Sequence, residues 1–417
     1  MRGVAVLALL AACGDGGTVP APPDGPPPDE RGVVRVRLRP QTFGFETVIF
    51  QNADSTTALV TRMNARGEAS ALMTSGGFVT IVDVNQRQMF TWTDVQIGDE
   101  LALGAEPGNS NLSPIRIRIP ALEGADQYML YSGCTEAFEI ASAIDEPTVP
   151  NIPICRDQQD LLVLATDFDP PDLAQSFIFR AAVNTSAAAT LDLRGEAYKP
   201  VGMTVTVTGD TPSPVELRQR FATIDGVEQF APTFQLVDGR AEVPTPMPAT
   251  GSTIQTVAAT STFQLPPFED LIAARDVTVA WGPATPVIAI DLSSTLRQLT
   301  TYPTFDPTTS AVTWTETAGA AGTALLATLD IQTDIGFFNW SVIAPRTEEA
   351  VLRLPVMPQV RMRPLPELTF VSELALIDIE GGYPRVRSAL LGAWTPSSGA
   401  WWPVDSATGS VRYRSLR

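Results

Sequence analysis

Apolar and polar residues alternate with a period of two along much of the chain. Val34, Val36 and Leu38 interleave with Arg35, Arg37 and Arg39, and Ile115, Ile117 and Ile119 interleave with Arg116 and Arg118. Val205 and Val207 alternate with Thr204, Thr206 and Thr208, and near the end Val411 and Tyr413 alternate with Arg412 and Arg414. Successive side chains of a strand point to opposite faces, so each run predicts a strand with one face on a core and one in water. Turn signals fall between the runs: Ala65-Arg66-Gly67, Ser75-Gly76-Gly77, Gly209-Asp210, Asp238-Gly239 and Ser398-Gly399. Prolines recur too closely for long helices, and the best helical stretch is Phe268 to Arg275, two turns at most. Short strands separated by turn signals predict an all-β fold of tandem β-sandwich modules.

Three stretches carry this pattern. Residues 33–106 contain Thr47-Val48-Ile49-Phe50-Gln51, then Thr61-Arg62-Met63-Asn64-Ala65-Arg66-Gly67-Glu68-Ala69, then Gly76-Gly77-Phe78-Val79-Thr80-Ile81. This stretch resembles the carboxypeptidase regulatory-like and bacterial Ig-like modules, which place a T-D-x-x-G-x-A turn before a G-x-Y-x-V strand. Asn64 stands where those modules usually have Asp, and Phe78 where they often have Tyr. The resemblance implies an accessory, non-catalytic sandwich. Residues 113–300 are again strand-rich and read equally as one large sandwich or two modules. In residues 301–417, Trp314 on an early strand and a later strand ending at Ala344-Pro345 resemble fibronectin type III or Ig-like sandwiches.

The amino terminus has a different pattern. Met1-Arg2-Gly3 precedes an apolar run, Val4 to Ala12, that ends at Cys13. A membrane-spanning helix needs about 20 apolar residues, so this run reads as a cleaved export signal. Leu10-Ala11-Ala12-Cys13 resembles the lipobox of bacterial lipoproteins. The resemblance implies removal of residues 1–12 and acylation of Cys13, with palmitate-type chains holding the protein to a membrane. Each buried CH₂ contributes about 0.8 kcal/mol, so several chains anchor firmly where one holds marginally. Gly14, in place of the Asp associated with inner-membrane retention in those lipoproteins, points to the outer membrane. Residues 13–32 follow as a Pro-rich tether through Pro20, Pro22, Pro23, Pro26, Pro27 and Pro28. Such a segment is extended and semi-rigid.

Composition narrows the chemistry. The 417 residues include no His, which excludes Ser-His-Asp and Cys-His catalysis and His-ligated metals. The net charge of −18 argues against nucleic acid as a partner, because phosphate contacts require a basic surface. Lys199 is the only lysine, so no phosphate-binding P-loop is present. A paired-carboxylate hydrolase remains an alternative, but none of the 46 acidic residues is singled out for that role. The alternating arginines fit solvent faces and guarded sheet edges better than a basic binding stripe.

Three groups remain as candidate sites. Cys134 and Cys155 are the cysteines left after Cys13 is acylated, and export predicts a structural disulfide between them. Closing a loop of about 20 residues contributes roughly 3 kcal/mol in the chain-entropy account. Asp167, Asp169 and Asp172 alternate as Ca²⁺ ligands do, but six to eight oxygens are needed and the set is incomplete. An acidic solvated loop is the simpler reading, and no cofactor is otherwise expected. Trp394, Trp401 and Trp402 flank a hairpin signal; exposed, they would stack sugars, whereas large aromatics are ordinarily core. Adjacent Trp401 and Trp402 would face opposite sides of a strand. The expectation is a lipid-anchored, non-enzymatic protein of the bacterial outer envelope with a structural or adhesive role. Envelope proteins or glycans are its expected partners, and glycan binding through the tryptophans is the alternative role.

Overall fold

A computed structural model describes residues 31–38, 47–83, 87–103, 115–125, 127–132, 135–141, 148–152, 158–166, 174–184, 190–211, 213–222, 227–230, 234–246, 253–264, 272–283, 285–293, 296–333, 336–355, 364–388 and 409–416. The fold is all-β and built of sandwich-like modules. Among the described residues there is one α-helix, Gly382–Ser388.

A single connectivity recurs. In the first repeat, Arg31–Leu38 is the centre of a three-stranded sheet, antiparallel to Glu68–Thr74 and parallel to Glu100–Leu103. Two hairpins, Thr47–Gln51 with Thr57–Arg62 and Gly77–Asp83 with Gln88–Val95, form the facing sheet. They join through pairing of Thr47–Gln51 with Gly77–Asp83. The second repeat follows the same order around Ile115–Arg118, with Thr148–Ile152 antiparallel and Thr190–Asp192 parallel to it. The third does so around Met203–Thr208, with Arg240–Thr245 and Val287–Asp291 as its neighbours. Residues 113–300 therefore hold two such strand sets. The fourth repeat has the same two hairpins, Ala324–Thr333 with Gly336–Pro345 and Pro364–Ile379 with Gly409–Leu416. Its small sheet differs: Thr304–Asp306 lies antiparallel beside Ala311–Thr313, where the other repeats have a parallel strand.

The hairpin sheets of repeats one, three and four merge into one twelve-stranded sheet. Repeat three meets repeat four where Ile272–Pro283 pairs antiparallel with Gly409–Leu416. Repeat four meets repeat one where Gly336–Pro345 pairs parallel with Gln88–Val95. The first repeat's small sheet covers one face of this sheet and the fourth repeat's covers the other. Val34, Val36, Met73 and Leu101 thus pack with Val48, Phe50, Val79, Ile81 and Trp92. On the opposite face Val312, Trp314 and Leu352 pack with Leu325, Leu329, Phe338, Trp340 and Val342. Ile49, Val82 and Met89 of the first repeat reach into this second core. Burial on both faces accounts for the near-continuous apolar run Ala324-Leu325-Leu326-Ala327 and the loss of period-2 patterning there.

Turn chemistry follows the sequence. Asp238 and Gly239 both have positive φ, 50° and 73°, and Val237 and Arg240 exchange two backbone hydrogen bonds across them. Two positive-φ central residues make the turn whose twist suits a hairpin. Asn64 Oδ1 accepts from the amides of Arg66 and Glu68 at 2.8 and 2.9 Å, so Asn fills the turn-closing role of the usual Asp.

Helix placement departs from expectation. Of the stretch Phe268 to Arg275, the described part, Ile272 to Arg275, begins a twelve-residue strand paired on both sides. Tertiary pairing overrides the weak local helical signal. The observed helix starts where Gly381 and Gly382, both at positive φ, turn the chain out of the preceding strand, with Pro384 in its first turn.

Candidate functional site: repeat junctions and an open sheet face

The helix Gly382–Ser388 sits where three repeats meet. The Tyr383 hydroxyl donates to the Thr93 carbonyl at 2.6 Å and lies 3.1 Å from that of Ile343, joining repeats one and four. Burial pushes its pKa well above the ordinary tyrosine value, so the phenol stays neutral. Arg387, its side chain 7% exposed, donates to the Asp94 carbonyl at 2.6 Å and pairs with the Asp99 carboxylate at 2.6 Å. Arg385 lies over the Trp281 ring of repeat three, 5.3 Å from its centroid. Across the parallel seam, Trp340 Nε1 donates to Thr91 Oγ1 at 2.8 Å, and that hydroxyl is 2.9 Å from Thr80 Oγ1. The buried Trp340 donor is satisfied from the neighbouring repeat, which helps to set the register of the seam.

Repeat four holds a compact ionic cluster. Glu316, its side chain 7% exposed, accepts from Trp314 Nε1 at 2.9 Å and pairs with Arg297 at 2.6 Å and with Arg346. Arg297 also reaches Glu348 at 3.1 Å, and the Arg346 guanidinium lies 5.3 Å from the Trp314 ring centroid. Burial works to raise the Glu316 carboxyl, but the hydrogen bonds from Trp314 and Arg297 and the charge of Arg346 outweigh it and hold it below its ordinary value. Burial lowers the Arg346 guanidinium, with Glu316 opposing, while Glu316 raises that of Arg297. A carboxylate held ionised, with both oxygens occupied by fixed donors, ties loops together and is badly placed to deliver a proton.

The twelve-stranded sheet also has an open face beyond the first core. Strand register places Gln88, Asn339, Asp330 and Phe370 in one row across four strands. Phe337 and Gln332 form the next row outward, and Ser341, Thr328 and Glu373 the next row inward. Phe337 and Phe370 are 55% and 51% exposed. From strand and residue spacing their Cβ atoms stand about 12 Å apart. Between them Asn339 Nδ2 donates to Asp330 Oδ1 at 3.1 Å. These rows carry two carboxylates and no basic side chain. Two apolar rings flanking an amide–carboxylate pair suit a neutral, polyhydroxylated ligand, with ring faces for its C–H surface and fixed polar groups for its hydroxyls.

Cys13, Cys134, Cys155, Asp167, Asp169, Asp172, Trp394, Trp401 and Trp402 all fall outside the described residues. Among the described residues no three His, Cys, Asp or Glu side chains gather as a metal site would require. The open face had a readable signal in Gly336-Phe337-Phe338-Asn339-Trp340: adjacent phenylalanines in a strand must split between faces. With Phe338 and Trp340 in the core, Phe337 and Asn339 share the other side.

No protein-family model matches the sequence, and no curated protein sequence matches it. Among solved structures, the chain is similar to the Bacillus anthracis TIE protein at 9% identity, covering 63% of this chain and 50% of that one, with a TM-score of 0.15. It is also similar to the native conformation of E. coli alpha-2-macroglobulin at 11% identity, covering 92% of this chain and 26% of that one, with a TM-score of 0.11. The chain thus spans half the length of the first and about a quarter of the second. Likenesses at these TM-scores carry no argument about this protein.

The ionic cluster has a measurable consequence. Removing one member of a buried pair typically costs about 3–5 kcal/mol, so Glu316→Gln should lower stability on that scale in urea denaturation. Because the folded carboxyl titrates below its ordinary 4.5, its contribution is full above that pH and is lost as pH falls through the lower folded value. The gap between wild type and Glu316→Gln should therefore narrow on acidification below 4.5. A gap independent of pH would show that the charge of Glu316 is not what stabilises the cluster.

Proposed function

We propose that this chain is a non-catalytic, lipid-anchored scaffold of the bacterial outer envelope, with a structural or adhesive role. The observation that carries the reading is edge-to-edge joining: three repeats share one twelve-stranded sheet, with a core on each face at the seam. A body held this way resists relative motion of its repeats and presents a large fixed surface. The anchor rests on Leu10-Ala11-Ala12-Cys13, and the Pro-rich segment after it supplies the spacer. The buried polar groups described above are engaged in joining repeats and loops. The expected outcome is that Cys13→Ala moves the protein from the membrane fraction to the soluble fraction without altering its circular dichroism. Unchanged fractionation removes the anchor from the reading.

The open face favours one second reading, adhesion through a neutral glycan. Phe337 and Phe370 present their rings with the Asp330–Asn339 pair between them. On a neutral-glycan array, the Phe337→Ala, Phe370→Ala double variant should lose binding by at least tenfold while keeping its melting temperature. Binding that survives both changes places the glycan elsewhere, and an array on which wild type binds nothing ends this reading.

A further inference from the structure

The twelve-stranded sheet ends at Thr57–Arg62, which pairs with Thr47–Gln51 on its inner side. Among the described residues no strand pairs with its outer side. We infer that this edge is the docking surface for a second copy of the same chain, the two Thr57–Arg62 strands pairing antiparallel about a two-fold axis. The inference goes beyond the scaffold reading and does not depend on the anchor.

The chain itself supplies the precedent. In the fourth repeat the topologically equivalent strand is Gly336–Pro345, and its outer edge is occupied by Gln88–Val95 of the first repeat. The same position in the same connectivity accepts a strand there and stands open here. A second copy continues the edge-to-edge joining already used within the chain.

The chemistry of the strand supports that occupant. Other sheet edges carry charge: Glu68 pairs with Arg37 along one, and Arg240 with Glu242 along another. Charged side chains are a usual guard against strand addition. Thr57–Arg62 reads Thr-Ala-Leu-Val-Thr-Arg, with no proline and a single charge at its end. Leu59 and Val60 are 39% and 56% exposed. A two-fold axis through Leu59 sets it against Leu59 of the other copy, Ala58 against Val60, and Thr57 against Thr61, so that opposed residues share a face. The Leu59 pair then lies on one face and the two Ala58–Val60 pairs on the other, and no like charges oppose each other. A closed two-fold contact consumes the edge, so the product is a dimer and not a fibre. A six-residue strand pair buries less than the roughly 1,200 Å² of stable complexes, so the dimer dissociates on dilution.

Sedimentation velocity of the full chain in detergent, across a hundredfold concentration range, tests this. The expected result is a monomer–dimer equilibrium in wild type, weakened at least tenfold in Leu59→Lys, Val60→Lys. Both side chains are exposed, so the variant should keep the wild-type circular dichroism and melting temperature. Cross-linking covers the case in which it does not fold: Leu59→Cys chains should give a disulfide-linked dimer on mild oxidation. A wild type that is monomeric throughout, a dimer indifferent to both lysines, or the absence of that cross-link would each overturn the inference.

Discussion

The parallel pairing of Gly336–Pro345 with Gln88–Val95 is the contact on which the rest of the architecture depends. Without it, repeats one and four each keep a sandwich with one wet outer face. With it, Ile49, Val82 and Met89, which face away from the first repeat's own core, gain apolar neighbours in the core of the fourth. Ile343, on the fourth repeat's outer face, gains Phe90 and Trp92. A parallel pair is slightly weaker per residue than an antiparallel one. Side-chain burial on both faces and the Trp340–Thr91–Thr80 hydrogen bonds compensate at this seam.

The helix Gly382–Ser388 reinforces the same joint from the side. It inserts Tyr383 and Val386 into the core shared by repeats one, three and four, and Arg387 reaches the Asp94–Asp99 turn. The ionic cluster around Glu316 acts within the fourth repeat, fixing the segments that carry Arg297, Arg346 and Trp314 beside the small sheet. Both arrangements place charge where it has fixed partners. That is the condition under which buried charge is tolerated.

Individual strands were legible in the sequence because most have one wet face. The alternation at Val34 to Leu38, Ile115 to Ile119 and Val205 to Val207 reads directly as a half-buried strand, and these three are the central strands of the small sheets. Asp238-Gly239 and Asn64 to Gly67 read equally well, since their turn chemistry is local. The merging of repeats into one sheet was not legible. It depends on partners some 250 residues apart, as with Thr91 and Trp340, and nothing local in either strand names the other. The seven-residue helix was missed because it lacks the length to show a period, and the stretch from Ile272 was drawn into a strand by neighbours on both sides. The open face was half legible: Phe337 beside Phe338 signals a split, but which phenylalanine is outside depends on which face the core claims.

Amide hydrogen exchange read residue by residue along Gly336–Pro345 tests the joined-sheet account most directly. The account predicts protection near that of global unfolding at successive amides of Asn339 to Ile343, because both edges of the strand are paired there. The outward amides of Thr57–Arg62 should exchange fast at low protein concentration and serve as the internal reference for a free edge. If Gly336–Pro345 showed the same alternation of fast and slow amides as that reference, its outer edge would be open, the seam absent and the shared core with it.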